Sequence, residues 1–164
     1  MSGVNRPVNK LVSGWGVQGV TTYQRGFPLV FGFPQGGVSG GGNGLRPNKS
    51  ATGALTGSAE SRLNKWFNTS VFALPTPYTY GNESRTDPVL RSEGITNWDL
   101  AFIKNTNFGP ESSLGMQFRA EFFNLFNTPQ FGPPSTTQGA SNFNIISSQV
   151  NNPRLIQFAL RFPF

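Results

Sequence analysis

Residues 154–164 alternate almost without a break: Ile156, Phe158, Leu160, Phe162 and Phe164 fall on one side, Gln157, Ala159, Arg161 and Pro163 on the other. Successive side chains of a β-strand point to opposite faces, so a period of two reads as a strand with one apolar and one polar face. Sustained over roughly 9 to 11 residues, it fits a tilted strand crossing a bilayer, with lipid on one side and lumen on the other. The pattern recurs in Leu114, Met116, Phe118, Ala120 and Phe122, interleaved with Gly115, Gln117, Arg119 and Glu121. The three polar side chains of that set are costly against hydrocarbon but ordinary against a wet lumen or a plug. A third alternation sets Trp98, Leu100, Phe102 and Lys104 against Asp99, Ala101, Ile103 and Asn105. A weaker one, over residues 11–24, sets Trp15, Val17, Thr21 and Tyr23 against Gly14, Gly16, Gln18 and Thr22. A soluble β-sandwich can carry the same alternation, so the pattern alone leaves both readings open.

Between these strands the chain has no period. Residues 27–33 extend the first strand only as an edge or loop, because Pro28 and Pro34 interrupt it. Residues 34–96 read as one long loop, with a Gly-rich start at 36–44 and Pro75, Pro77 and Pro88 further on. A short helical turn is expected over 60–67, capped by Ser58 or Ser61, with Leu63 and Phe67 at i, i+4. Residues 107–113 (NFGPESS) supply a short turn, and 127–153 a second long loop rich in Asn, Gln, Ser and Thr. Bacterial barrels keep short turns on the periplasmic side and long loops outside. The last strand then runs inward and ends at the periplasmic face. The expected fold is all-β: an antiparallel, up-and-down transmembrane β-barrel segment of about four strands with long extracellular loops, below the roughly eight strands that close the smallest barrels.

Composition supports this class. Only 36% of the residues are hydrophobic, and 16 Phe sit among 20 Gly and 13 Pro, so aromatics must supply much of the apolar area. No run of 18 apolar residues is present, and the first ten residues lack the apolar core of a signal peptide; an export signal is expected upstream. Cysteine and histidine are both absent, which removes thiol nucleophiles, disulfides and imidazole acid–base chemistry. The carboxylates Glu93, Asp99, Glu111 and Glu121 have no spacing that forces a catalytic pair, and the glycine run lacks the GK[ST] ending of a phosphate loop. No enzyme activity, cofactor or metal is expected. The net charge of +6 comes from cations scattered singly, without a recognition helix, so no nucleic-acid partner is expected.

Several segments, in order and spacing, resemble the carboxyl-terminal end of Oar-like TonB-dependent receptors. They are GWGVQGVTTYQRGFPLVF (14–31), FNTSVFALPTPYTYGNESR (67–85), NWDLAFIKN (97–105), RAEFFNLFNTPQFG (119–132) and NNPRLIQFALRFPF (151–164). These receptors are large outer-membrane proteins with an amino-terminal carboxypeptidase-regulatory-like domain. The resemblance implies a parent barrel of about 22 strands, closed by a plug and energised through a TonB box. Plug, TonB box and regulatory-like domain are not in this chain, so it is expected to be a fragment or a truncated reading frame of such a receptor, its carboxyl-terminal part, with the status of Met1 as a natural start left open. It implies location in the bacterial outer membrane and a part in ligand uptake. The implied partners are outer-membrane lipid, the barrel-assembly machinery, the rest of the barrel with its plug, and TonB through the missing amino-terminal part. Phe158, Leu160, Phe162 and Phe164 are implied as the assembly signal. The expected lumen- and plug-facing residues are Gln117, Arg119, Glu121, Gln157 and Arg161, and Trp15, Tyr23, Trp98, Phe126 and Phe164 are the expected interfacial aromatics. The alternative is a secreted or surface structural or adhesive β module without transport activity.

Overall fold

The structure is a computed structural model that describes residues 6–33, 45–108 and 115–163. Phe164, Leu114, the glycine run at 36–44, Glu111 and most of the NFGPESS turn lie outside the described residues. In chain order the elements are a helix α1 (Arg6–Val12) and strands β1 (Trp15–Gln24), β2 (Asn48–Lys49), β3 (Phe72–Ala73), β4 (Ile95–Asn107), β5 (Gly115–Phe123) and β6 (Leu155–Arg161). The chain divides into two compact units.

The first unit comprises Met1–Tyr23, Thr96–Pro129 and Asn152–Phe164. It contains a four-stranded sheet in the order β1-β4-β5-β6, unclosed, with β1 and β6 at its edges. Pairing of β4 with β5 and of β5 with β6 is antiparallel, with Leu100 opposite Phe122 and Ala120 opposite Phe158. All four alternating segments are therefore strands of one sheet. The first begins later than expected, because residues 6–12 form α1 and Gly14 (φ 77°) turns the chain into β1. Only glycine fits there: a Cβ would lie 2.3 Å from the Asn105 carbonyl oxygen.

The second unit, Gln24–Ile95 with Gln130–Asn151, is made of the two segments expected to be loops together with residues 24–33, expected as the end of the first strand and its edge or loop extension. Apart from the short antiparallel pair β2–β3 and 3-10 turns each is irregular, yet together they enclose a core of Leu29, Phe31, Trp66, Phe67, Phe72, Leu90 and Ile146. Phe31, Phe67, Phe72 and Phe143 pack with ring centroids 4.5–6.4 Å apart. Backbone bonds stitch distant segments: Leu29 N to Leu90 O, Gly32 N to Thr136 O, Trp66 N to Asn144 O and Ile146 N to Leu63 O. The expected helical turn is a 3-10 turn over Glu60–Arg62 that starts at Ala59, and Ser58 Oγ accepts only a 3.4 Å bond from Ser61 N. Asp87, fully buried, pairs with Lys49 and accepts the amides of Val89 and Leu90.

Candidate functional site: the two faces of the sheet

Register decides which side chains share a face, because residues directly opposite on paired strands point the same way. Gln117 lies opposite Asn105 and Arg161, Arg119 opposite Ile103 and Ala159, and Glu121 opposite Ala101 and Gln157. Gln117, Arg119, Glu121, Gln157 and Arg161 are thus all on one face. Arg119 Nη2 donates to Glu121 Oε1 at 2.7 Å, and Gln117 Nε2 donates to Asn105 Oδ1 at 2.9 Å. A shallow cavity of about 250 Å³ opens beside Gln18, Asp99, Arg119 and Glu121.

The other face carries Leu100 and Phe102 of β4, Phe118, Ala120 and Phe122 of β5, and Ile156, Phe158 and Leu160 of β6. Phe118 stacks on Phe158 at 6.1 Å, and Phe102 meets Phe122 edge-on at 6.0 Å. This face is most open on β6, where Phe158 is 67% exposed and Leu160 54%, while Leu100, Phe102, Phe118 and Phe122 are half-buried among their neighbours and Ala120 is buried. At one end of the sheet Tyr23, Trp98 and Phe126 form a row of edge-on rings, with centroids 6.0 and 5.9 Å apart. At the other end is Trp15. Of the residues assigned to assembly, Phe158 and Leu160 project from edge strand β6, Phe162 lies exposed just past its end, and Phe164 falls outside the described residues.

An uncovered apolar face backed by a polar one, with aromatic rings at its ends, is the surface of a strand array in a bilayer. The family model for the outer membrane beta barrel domain matches residues 1–157. The chain belongs to that family. The barrel domain places the protein in the bacterial outer membrane, and the unclosed sheet is an incomplete barrel. No match was found among curated proteins or among solved structures.

Three features of this barrel domain escaped the sequence. Lys104, on the apolar face of β4 opposite Phe118, is buried, and its ammonium is held by the carbonyls of Lys10 and Ser13. Asp99 Oδ1 accepts the amide of Asn124, whose side chain in turn bonds Thr128 and the Asn152 carbonyl. This knot holds the left-handed Asn124 (φ 52°) that ends β5. The third is in the unit of long connections. There a cleft of about 430 Å³ is lined by Phe27, Pro28, Val30, Phe131, Pro133 and Glu93. Burial raises the Glu93 carboxyl above its ordinary value; the Phe131 amide, bonded to it at 2.8 Å, opposes the shift, Glu60 adds to it and Arg62 lowers it. The sequence signalled only Lys104, an ionisable residue in phase with Leu100 and Phe102. Among the described residues, no group of three or more Asp or Glu side chains is placed to hold a metal.

Proposed function

We propose that this barrel domain is wall and external mouth of a TonB-dependent receptor-like transporter, taking part in ligand uptake in its parent molecule. The observation that carries the proposal is the division of one sheet into an uncovered apolar face and a polar face holding Gln117, Arg119, Glu121, Gln157 and Arg161. A porous or plugged lumen needs such a wall, since ionised groups are tolerated on the inner side and excluded from the lipid side. In this reading the Arg119–Glu121 pair and its neighbours meet the plug. The long connections, which join strand ends at the Tyr23, Trp98 and Leu155 end of the sheet, form the mouth. The edge of β6, with Phe158 and Leu160 and the following Phe162 and Phe164 as the signal, is where the assembly machinery adds a strand.

The chain contains no cysteine, so single replacements report their surroundings cleanly. In outer-membrane preparations, Gln117→Cys should react with a hydrophilic maleimide and Phe158→Cys should not. Equal labelling of both would overturn the wall assignment and favour a surface module without a membrane face. Energised uptake has its own readout, namely retention of the assembled parent receptor on immobilised TonB carboxyl-terminal domain; lack of retention would leave a barrel wall without that drive.

A further inference from the structure

Lys104 stands where an ammonium is least welcome, on the apolar face between Phe102 and Phe118, and is 8% exposed. Its charge is met at the carboxyl-terminal end of α1: Nζ donates to Lys10 O at 2.6 Å and to Ser13 O, and lies 5.5 Å from the Trp15 ring centre. The last carbonyls of a helix lack partners within the helix and carry the negative end of its dipole, so a cation there is favourable. The other carbonyls nearby are occupied too. Asn9 O accepts from Ser13 N and Ser13 Oγ, and Leu11 O accepts the Trp15 indole N–H at 2.9 Å. The carbonyls of Asn9, Lys10 and Leu11, three of the last four of the helix, therefore have partners, which lowers the cost of this helix end entering an apolar medium.

The same helix exposes an apolar edge. Val8, Leu11 and Val12 sit at i, i+3, i+4 and are 45%, 71% and 69% exposed. The helix contains Arg6 and Lys10 and no acidic residue. A seven-residue helix is too short to persist in water on its own strength. The Lys104 tether supplies the missing stabilisation, and it joins α1 to the same side of β4 that carries the uncovered apolar face.

We propose that α1 is an interfacial helix. Its Val8, Leu11 and Val12 edge lies in the headgroup–acyl boundary of the outer membrane's phospholipid leaflet, and Lys10 faces anionic headgroups. Continuity selects the occupant: Lys104 ties the end of α1 to the apolar face at the Trp15 end of the sheet, the end of the short β4–β5 turn, which in a barrel is the periplasmic side. The inference rests on the reading that the apolar face meets lipid.

The test uses the full chain reconstituted in phosphatidylcholine–phosphatidylglycerol vesicles, with an environment-sensitive fluorophore on Leu11→Cys, Phe158→Cys or Gln117→Cys in turn. At position 11, iodide quenching should fall to about half of that at position 117, and doxyl groups near the headgroup should quench more than deep ones, as expected for burial of roughly 5–10 Å. Position 158 should respond to deep doxyl groups. Position 11 as open to iodide as position 117, with 158 still quenched by lipid, overturns the interfacial helix alone. Position 158 open to iodide overturns the lipid-face reading and the helix with it. Adding Lys104→Met should raise iodide quenching at position 11 and leave 158 unchanged; no change at position 11 would remove Lys104 as the tether.

Discussion

Among the described residues, the buried phenylalanines all lie in the unit of long connections. In the unit of long connections Phe31 and Phe67 are 2% and 0% exposed and form a closed aromatic cluster, whereas in the sheet unit Phe158 is 67% exposed and Tyr23 matches it. Polar groups invert as well. Asp87 is the fully buried partner of Lys49 in the first case, while Arg119 and Glu121 stand half-open on the face of a sheet in the second. One unit is organised as a water-soluble protein, apolar inside. The other is organised for a medium in which apolar surface needs no cover and ionised groups do. A single composition, poor in Leu, Ile and Val and rich in Phe, serves both because the aromatic ring suits a packed cluster and a lipid-facing wall alike.

The comparison can be broken most forcefully at Phe67. Replacement by Ala should cost the unit of long connections about 3–5 kcal/mol, as truncation of a fully buried aromatic does. Phe158→Ala in detergent should leave that unit's melting unchanged. Denaturant titration followed by Trp66 fluorescence in a Trp15→Phe, Trp98→Phe background reads both, and equal losses would mean that the two clusters are not distinct. Next comes Asp87→Asn, which strands the Lys49 ammonium and should cost about 3 kcal/mol by the same titration, since breaking a buried pair leaves an uncompensated charge. A loss below that for the Arg119 variant described below would contradict the contrast in burial.

On the sheet, the informative change is Phe158→Lys, expected to cost about 2–4 kcal/mol in phospholipid vesicles if the residue lies near the bilayer midplane. Unfolding equilibria in vesicles measure it, and a neutral result would show that this face does not meet hydrocarbon. A pH effect should separate the units more gently. Because burial raises the Glu93 carboxyl in the folded protein, the folded state holds its proton to higher pH than the unfolded chain. Its stabilising contribution is full below the ordinary carboxyl range and is lost as pH rises through the raised value. Glu93→Gln keeps an acceptor for the Phe131 amide and should flatten that slope in thermal melts; an unchanged slope would assign it elsewhere. The smallest effect belongs to Arg119→Met, about 0.2–1 kcal/mol, as for other pairs open to solvent. A double-mutant cycle with Glu121→Gln should return a coupling in that range, and a larger one would mean that the pair is covered in the assembled wall.

The alternating segments made the sheet legible. A period of two follows from strand geometry alone, so Trp98, Phe118 and Phe158 could be assigned to faces before any pairing was known, and β4, β5 and β6 appear within a few residues of the expected ends. The start of β1 differs from the expected one because Leu11 falls in phase with Trp15 and Val17 while belonging to α1. The second unit had no such signature. Its core draws Phe31, Phe67 and Ile146 from irregular backbone and Phe72 from the two-residue strand β3, all far apart in sequence, and such backbone imposes no period on the residues it buries. The Lys49–Asp87 pair spans 38 positions, and nothing local to either residue marks the other as its partner.

The strands of the four-stranded sheet and their facing were thus determined by the sequence, because each depends on the local geometry of a strand and on which side of it must avoid water; the choice of a membrane over a soluble sheet came with the family match. The closure of two apparent loops into one unit, the satisfaction of Lys104 by α1, and the raised Glu93 carboxyl were decided only by tertiary structure. Each depends on which distant groups come within a few ångströms and on how much water they exclude, and neither quantity is written in the spacing of residues along the chain.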